Sequence, residues 1–142
     1  GTTLSVLVLL KGKALIAHVG DSRIYRLRQG RLEQLTVDHT MAQFLKEEGE
    51  ITSEEAIKHP ARHVLTQVMG TEIEEITTHI EQLQPGDLFL LCSDGMYDML
   101  ADDDMLKILL AHSNVQAVCD QLLDAAIENG GKDNVTVIVI KV

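Results

Sequence analysis

Short β-branched apolar runs, each closed by a tight turn, fill the first third of the chain. Thr2 to Leu10 is almost continuously apolar, the pattern of a buried strand. Lys11-Gly12-Lys13 is a turn signal, and Ala14 to Val19 follows as a second strand. Gly20-Asp21-Ser22 breaks the pattern, after which Ile24, Tyr25 and Leu27 carry a strand to the turn at Arg28-Gln29-Gly30. Leu32 and Leu35 belong to a further strand ending near Thr36. Parallel strands need crossovers of a dozen residues or more, so connections this short predict antiparallel hairpins.

The middle of the chain changes character. Met41 to Glu48 reads as a short helix stopped by Gly49, and Thr52 with Glu55 is a capping-box pattern opening another, ended by Pro60. The polar, weakly periodic stretch from Glu47 to His59 is expected to be a mobile excursion from the sheet. Strand signals return at Thr77 to Leu83 and Leu88 to Cys92, around the turn Pro85-Gly86-Asp87. Two helices follow. Asp102 is the expected N-cap of the first, which carries Met105, Leu106, Leu109 and Leu110. Ser113 with Gln116 is the expected capping box of the second, whose apolar side is Val118, Leu122, Ala125 and Ala126. Asn129-Gly130-Gly131 stops it, and Val135 to Val142 is a last strand. Segregated runs of strands and helices predict an α+β fold built on antiparallel sheets.

Within 142 residues, 22 acids against 12 bases give a formal net charge of -10. That balance repels nucleic-acid backbones, and no basic run offsets it. No apolar stretch is long enough to span a bilayer, so neither a nucleic-acid nor a membrane partner is expected. Cys92 and Cys119 lack metal-site spacing and read as reduced thiols of a cytoplasmic protein.

Three aspartates share one setting. Asp21 follows His18-Val19-Gly20, Asp94 follows Leu90-Leu91-Cys92-Ser93, and Asp133 lies between Gly131-Lys132 and Asn134. Each stands at a strand end beside a glycine or turn residue, where a carboxylate projects from a rigid edge. Hard cations such as Mg²⁺ and Mn²⁺ favour such oxygen donors. Asp beside Gly is also an ordinary turn pair, and spacing alone makes each aspartate a turn residue before a ligand.

The local sequence around these aspartates adds to that reading. His18-Val19-Gly20-Asp21-Ser22-Arg23-Ile24-Tyr25 resembles the Gly-Asp-Ser-Arg block of the PPM (type 2C) metal-dependent protein phosphatases. Leu35-Thr36-Val37-Asp38-His39-Thr40 resembles their Thr-x-Asp-His-Ser/Thr segment. Pro85-Gly86-Asp87 with Cys92-Ser93-Asp94-Gly95, and Gly131-Lys132-Asp133-Asn134-Val135-Thr136, resemble their two closing blocks. Four blocks in the family's order, over the whole chain, make the match specific.

The resemblance implies an α+β sandwich of two antiparallel β-sheets flanked by helices, in four αββα layers. Residues 1–142 would form a single domain, the C-terminal two-thirds of the family's, with a variable flap at about 40–70. It implies hydrolysis of phosphoserine and phosphothreonine in proteins by a metal-activated water. The cofactors would be two catalytic Mn²⁺ or Mg²⁺ ions, with a third, weaker ion in bacterial members. By carry-over Asp94 and Asp133 ligate the catalytic pair, and Asp21 helps hold the additional metal. Asp38 is not expected in the first shell, His39 is expected to structure its loop, and Arg23 to make a structural ion pair. His18 is expected to be a satisfied strand histidine, and Cys92, lacking a C-x5-R arrangement, is not a nucleophile. The implied partners are phosphorylated proteins and a cognate serine/threonine kinase.

The family's N-terminal part, which carries an Asp-Gly block, a phosphate-binding arginine and strands that complete the two sheets, has no counterpart here, so exposed sheet edges and self-association are expected. The same gap keeps a non-catalytic regulatory or binding module of PPM fold as the alternative. A generic metal-binding α+β domain is the third reading.

Overall fold

A computed structural model describes residues 1–73 and 76–142. The chain divides into two compact units, Gly1–Ser22 with Val37–Glu81, and Arg23–Thr36 with Gln82–Val142.

The first unit is built on the antiparallel hairpin of β1 (Leu4–Leu10) and β2 (Lys13–Val19), paired from Leu4 with Val19 to Leu10 with Lys13. Lys11 and Gly12, both with positive φ, close the two-residue turn, the geometry that matches the twist of a hairpin. β5 (Thr77–Gln82) completes a sheet of order β1-β2-β5. The apolar run predicted a buried strand, but β1 lies at the sheet edge, and Leu4, Val8 and Leu10 are 45%, 46% and 55% exposed. A strand with apolar residues on both faces offers two faces to bury, and periodicity does not tell which one is covered.

Between β2 and β5 run two short helices. Thr40 caps α1 (Met41–Glu47), its side chain accepting from the Gln43 N–H. The predicted capping box of α2 (Ser53–Lys58) is present in both directions, Thr52 Oγ1 accepting from Glu55 N and Glu55 Oε2 from Thr52 N.

The second unit carries a four-stranded antiparallel sheet of order β4-β3-β6-β7, where β3 is Arg23–Arg28, β4 Arg31–Gln34, β6 Leu88–Cys92 and β7 Val137–Lys141. Alternate residues of β3 and β6 (Tyr25, Leu27, Leu88, Leu90, Cys92) join Met96, Leu100, Met105, Leu109, Val118, Leu122 and Ala126 in one apolar core. The helical contribution comes from α3 (Asp94–Tyr97), α4 (Asp102–Ala111) and α5 (Val115–Glu128). Full burial of each large side chain stabilises by about 1.5–3 kcal/mol.

Two caps differ from expectation. Ala101, not Asp102, is the N-cap of α4, and the three aspartates at 102–104 form its first turn, where they complement the helix dipole. Asn114, not Ser113, caps α5, its Oδ1 accepting from the N–H groups of Gln116 and Ala117.

Arg28 and Asp87 form a two-pronged pair, Nε to Oδ1 and Nη2 to Oδ2, both at 2.7 Å. Asp87 also accepts from Gln84 N, so the Pro-Gly-Asp turn is fixed to β3 as well as to itself. The Arg28 bonds hold the Asp87 carboxyl below its ordinary pKa of 3.8.

Candidate metal centre

In the second unit, β6 and β7 are zipped from Leu88–Lys141 to Cys92–Val137. The zipper runs on past the strands. Ser93 N donates to Thr136 O (3.1 Å), Thr136 N to Ser93 Oγ (3.0 Å), and Ser93 Oγ to Asn134 O (3.2 Å). At the next step Gly95 lies against Asn134 so closely that a Cβ would meet the Asn134 carbonyl oxygen at 2.3 Å. The glycine after Asp94 is thus required by packing, because no side chain fits there.

This approach brings Asp94 and Asp133 to one end of the β6–β7 pair. Asp94 Oδ1 accepts from Gly95 N at 2.9 Å, and Asp133 Oδ1 from Asn134 N at 2.7 Å. Each carboxylate is oriented by its own successor's N–H and keeps its second oxygen as a hard donor. Asp94 is half-buried and Asp133 exposed.

In the first unit Asp21 is 6% exposed. Gly20 before it has φ +109°, and a Cβ there would come within 2.4 Å of the Thr3 side chain. Thr3 Oγ1 also meets Ser22 Oγ at 2.9 Å, so the start of the chain clamps the Gly-Asp-Ser turn on both sides of Asp21. One oxygen of Asp21 and one ring nitrogen of His63 lie within 4.8 Å of each other. Sequence reasoning missed His63: it stands in the segment between α2 and β5, where no strand-end pattern points to it.

His39 structures its loop, as expected. Its N–H donates to Gly20 O, its Nδ1 accepts from Gly20 N, its carbonyl accepts from Thr66 N, and its Nε2 meets Thr77 Oγ1. His18 departs from expectation. Its Nδ1 pairs with Ser5 Oγ at 2.9 Å, but its buried Nε2 makes no hydrogen bond, although the carbonyls of Gly20 and Val37 lie close enough to favour a charged ring. Burial pulls the pKa of both histidines below 6.5. The two rings also lie 4.9 Å apart, and the nearby His39 adds to the lowering at His18.

Arg23 donates from Nη1 to Tyr25 Oη (3.0 Å) and lies 3.6 Å from the centre of the Tyr97 ring, held against its own sheet. Cys92 is 4% exposed inside the apolar core, an environment that disfavours a thiolate.

The aspartates offer carboxylate oxygens, with a His63 ring nitrogen beside Asp21 and no thiolate among them, a set suited to Mg²⁺ or Mn²⁺ and poorly suited to soft metals. Among the described residues no helix is long and apolar enough to cross a membrane.

Comparison with known proteins bears on the whole of this arrangement. The protein phosphatase 2C family profile matches residues 1–130. The chain is 37% identical over 142 residues to the serine/threonine phosphatase stp of Listeria welshimeri, covering 99% of this chain and 56% of that protein. It superposes with a TM-score of 0.92 and 36% identity on the serine/threonine phosphatase Stp1 of Staphylococcus aureus, covering 99% of this chain and 56% of that one. The catalytic domain of the serine/threonine protein phosphatase PstP in complex with two manganese ions matches with a TM-score of 0.85 and 38% identity, covering 96% of this chain and 56% of that one. The chain therefore spans a little over half the length of these relatives.

Proposed function

The chain belongs to the protein phosphatase 2C family, and on that footing we propose that it forms part of a metal-dependent phosphatase acting on phosphoserine and phosphothreonine in proteins. The observation that carries this reading is the pair Asp94 and Asp133, held at one strand end by the Ser93–Thr136 zipper and the Gly95–Asn134 approach. Asp94 and Asp133 would hold the catalytic Mn²⁺ or Mg²⁺ pair, as the manganese-bound relative suggests. Asp21 is assigned to the additional, weaker cation.

Bound divalent cations supply Lewis-acid charge, which makes water acidic enough to react near neutral pH and neutralises a phosphoryl group. This chain's residues position the donors. Gly95 lets the two backbones meet, the Gly95 and Asn134 N–H groups orient one oxygen of each carboxylate, and Thr3 with Ser22 fixes the turn that carries Asp21. The core position of Cys92 argues against a phosphocysteine intermediate. The substrates are phosphorylated proteins, and a serine/threonine kinase that phosphorylates them is the natural opposing partner. Two free cysteines suit a cytoplasmic setting.

The test is hydrolysis of p-nitrophenyl phosphate and of a phosphothreonine peptide with Mn²⁺ and with EDTA. Turnover should require metal, fall by about 100-fold or more in Asp94→Asn and Asp133→Asn, and persist in Cys92→Ser. Turnover that survives Asp94→Asn but is lost in Cys92→Ser would overturn the mechanism.

A further inference from the structure

His39 joins three separate pieces of the first unit. Its main chain exchanges hydrogen bonds with Gly20 O and Thr66 N, and its ring bridges Gly20 N and Thr77 Oγ1 of β5. The ring's protonation state follows from those partners. Gly20 N–H is a donor, so His39 Nδ1 must carry a lone pair, and the neutral ring's proton sits on Nε2 and faces Thr77. A second proton has only Nδ1 to bind, where it would meet the Gly20 N–H head on.

The second ring is arranged otherwise. Ser5 Oγ donates its one proton to Ser22 O, so His18 Nδ1 donates to Ser5 Oγ and its proton is already placed. His18 is 1% exposed and His39 half-buried, so of two rings 4.9 Å apart His39 is the one that water can charge first. The charged groups facing them are few. Asp38 acts on both rings and Glu47 of α1 on His39, each favouring the charged form, while burial of each ring opposes it and is the larger effect.

We propose that His39 is a proton-gated positioning residue: neutral, it clasps the Gly20-Asp21-Ser22 turn to β5 and to the segment at Thr66, and a proton on Nδ1 opens that clasp. The gate lies in the main chain beside Asp21, so it acts whether or not a cation is bound.

The experiment is amide hydrogen exchange at Gly20 by NMR, with EDTA present, compared between about pH 7.5 and pH 5 after correction for intrinsic exchange. In the unaltered chain, protection at Gly20 should fall about tenfold or more, because a proton on Nδ1 removes the acceptor of the Gly20 N–H. In His39→Asn, whose side-chain oxygen accepts from Gly20 N at every pH, protection should stay level, and His79→Gln should behave as the unaltered chain. Level protection in the unaltered chain, or an equal fall in His39→Asn, would overturn the proposal. Should His39→Asn not fold, the ¹⁵N shifts of the unaltered chain decide. An unprotonated Nδ1 at pH 7.5 that gains its proton as Gly20 protection falls supports the clasp, and a protonated Nδ1 at pH 7.5 overturns it.

Discussion

The two units solve burial in different ways. The second closes an apolar core between one sheet face and three helices, with Tyr25, Leu90, Met96, Met105, Leu122 and Ala126 all 0% exposed. The first also buries apolar side chains (Ala14, Ile16, Val19 and Ala42), but it sets polar groups among them and leaves other apolar ones outside. His18, Asp21 and Thr40 are buried there, while Val6, Val8, Leu15, Ala17 and Ile80 line an open groove of about 600 Å³ on its sheet. Apolar burial is indifferent to pH, whereas a buried imidazole is stable only while neutral. The contrast predicts that cavity formation is the chief hazard for the second unit, and protonation just below neutral pH the chief hazard for the first.

The largest expected effect tests the closed core. Leu122→Ala should destabilise by about 2–5 kcal/mol in urea denaturation, through lost transfer energy and the cavity left behind. A change below about 1 kcal/mol would show that the helical cover is loose. Next comes Arg28→Ala, which strands the Asp87 carboxylate. Breaking a fully buried pair costs about 3–5 kcal/mol. Arg28 keeps 21% of its side chain in water, so about 2–3 kcal/mol is expected here.

That pair also gives the second unit its own pH response, opposite in range to that of the histidines. The folded Asp87 pKa is depressed below 3.8, so its contribution is present above that value and is lost as pH falls through the folded one. For His18 and His39 the folded pKa lies below 6.5, so the unfolded chain takes up protons first and stability is lost as pH drops below about 6.5. Thermal melts from pH 8 to pH 3 should therefore show two separate declines. His39→Asn should weaken the upper one and Arg28→Ala the lower one, and a single decline would erase the distinction. The smallest effect lies on the open groove, where Ile80, 60% exposed, should accept Lys with a change within about 0.5 kcal/mol. A larger loss would mean that this face is covered in solution.

Much of this was legible in the chain because local rules agreed with the outcome. Lys11-Gly12 makes the predicted turn, Thr52 and Glu55 make the predicted box, and Val118, Leu122 and Ala126 form the predicted buried stripe. The misses have physical causes. Asp102 and Ser113 are good capping residues, but a cap is chosen by backbone geometry, and Ala101 and Asn114 occupy that position. β1 shows that a doubly apolar strand does not disclose which face is covered. The strand-end aspartates could be found by pattern, whereas His63 comes near Asp21 through an irregular segment that no periodicity describes.

The Gly95–Asn134 approach has one more consequence. It fixes Asp94 and Asp133 by a short stitch of main chain, while the long excursion through α4 and α5 joins them only as a tether. Inserting residues at His112-Ser113, between those helices, would lengthen the tether without moving either carboxylate. The spacing of the two aspartates along the sequence is thus free to lengthen there, while their approach in the molecule rests on the Ser93–Thr136 zipper and on the hydrogen atom that Gly95 has where any other residue has a carbon.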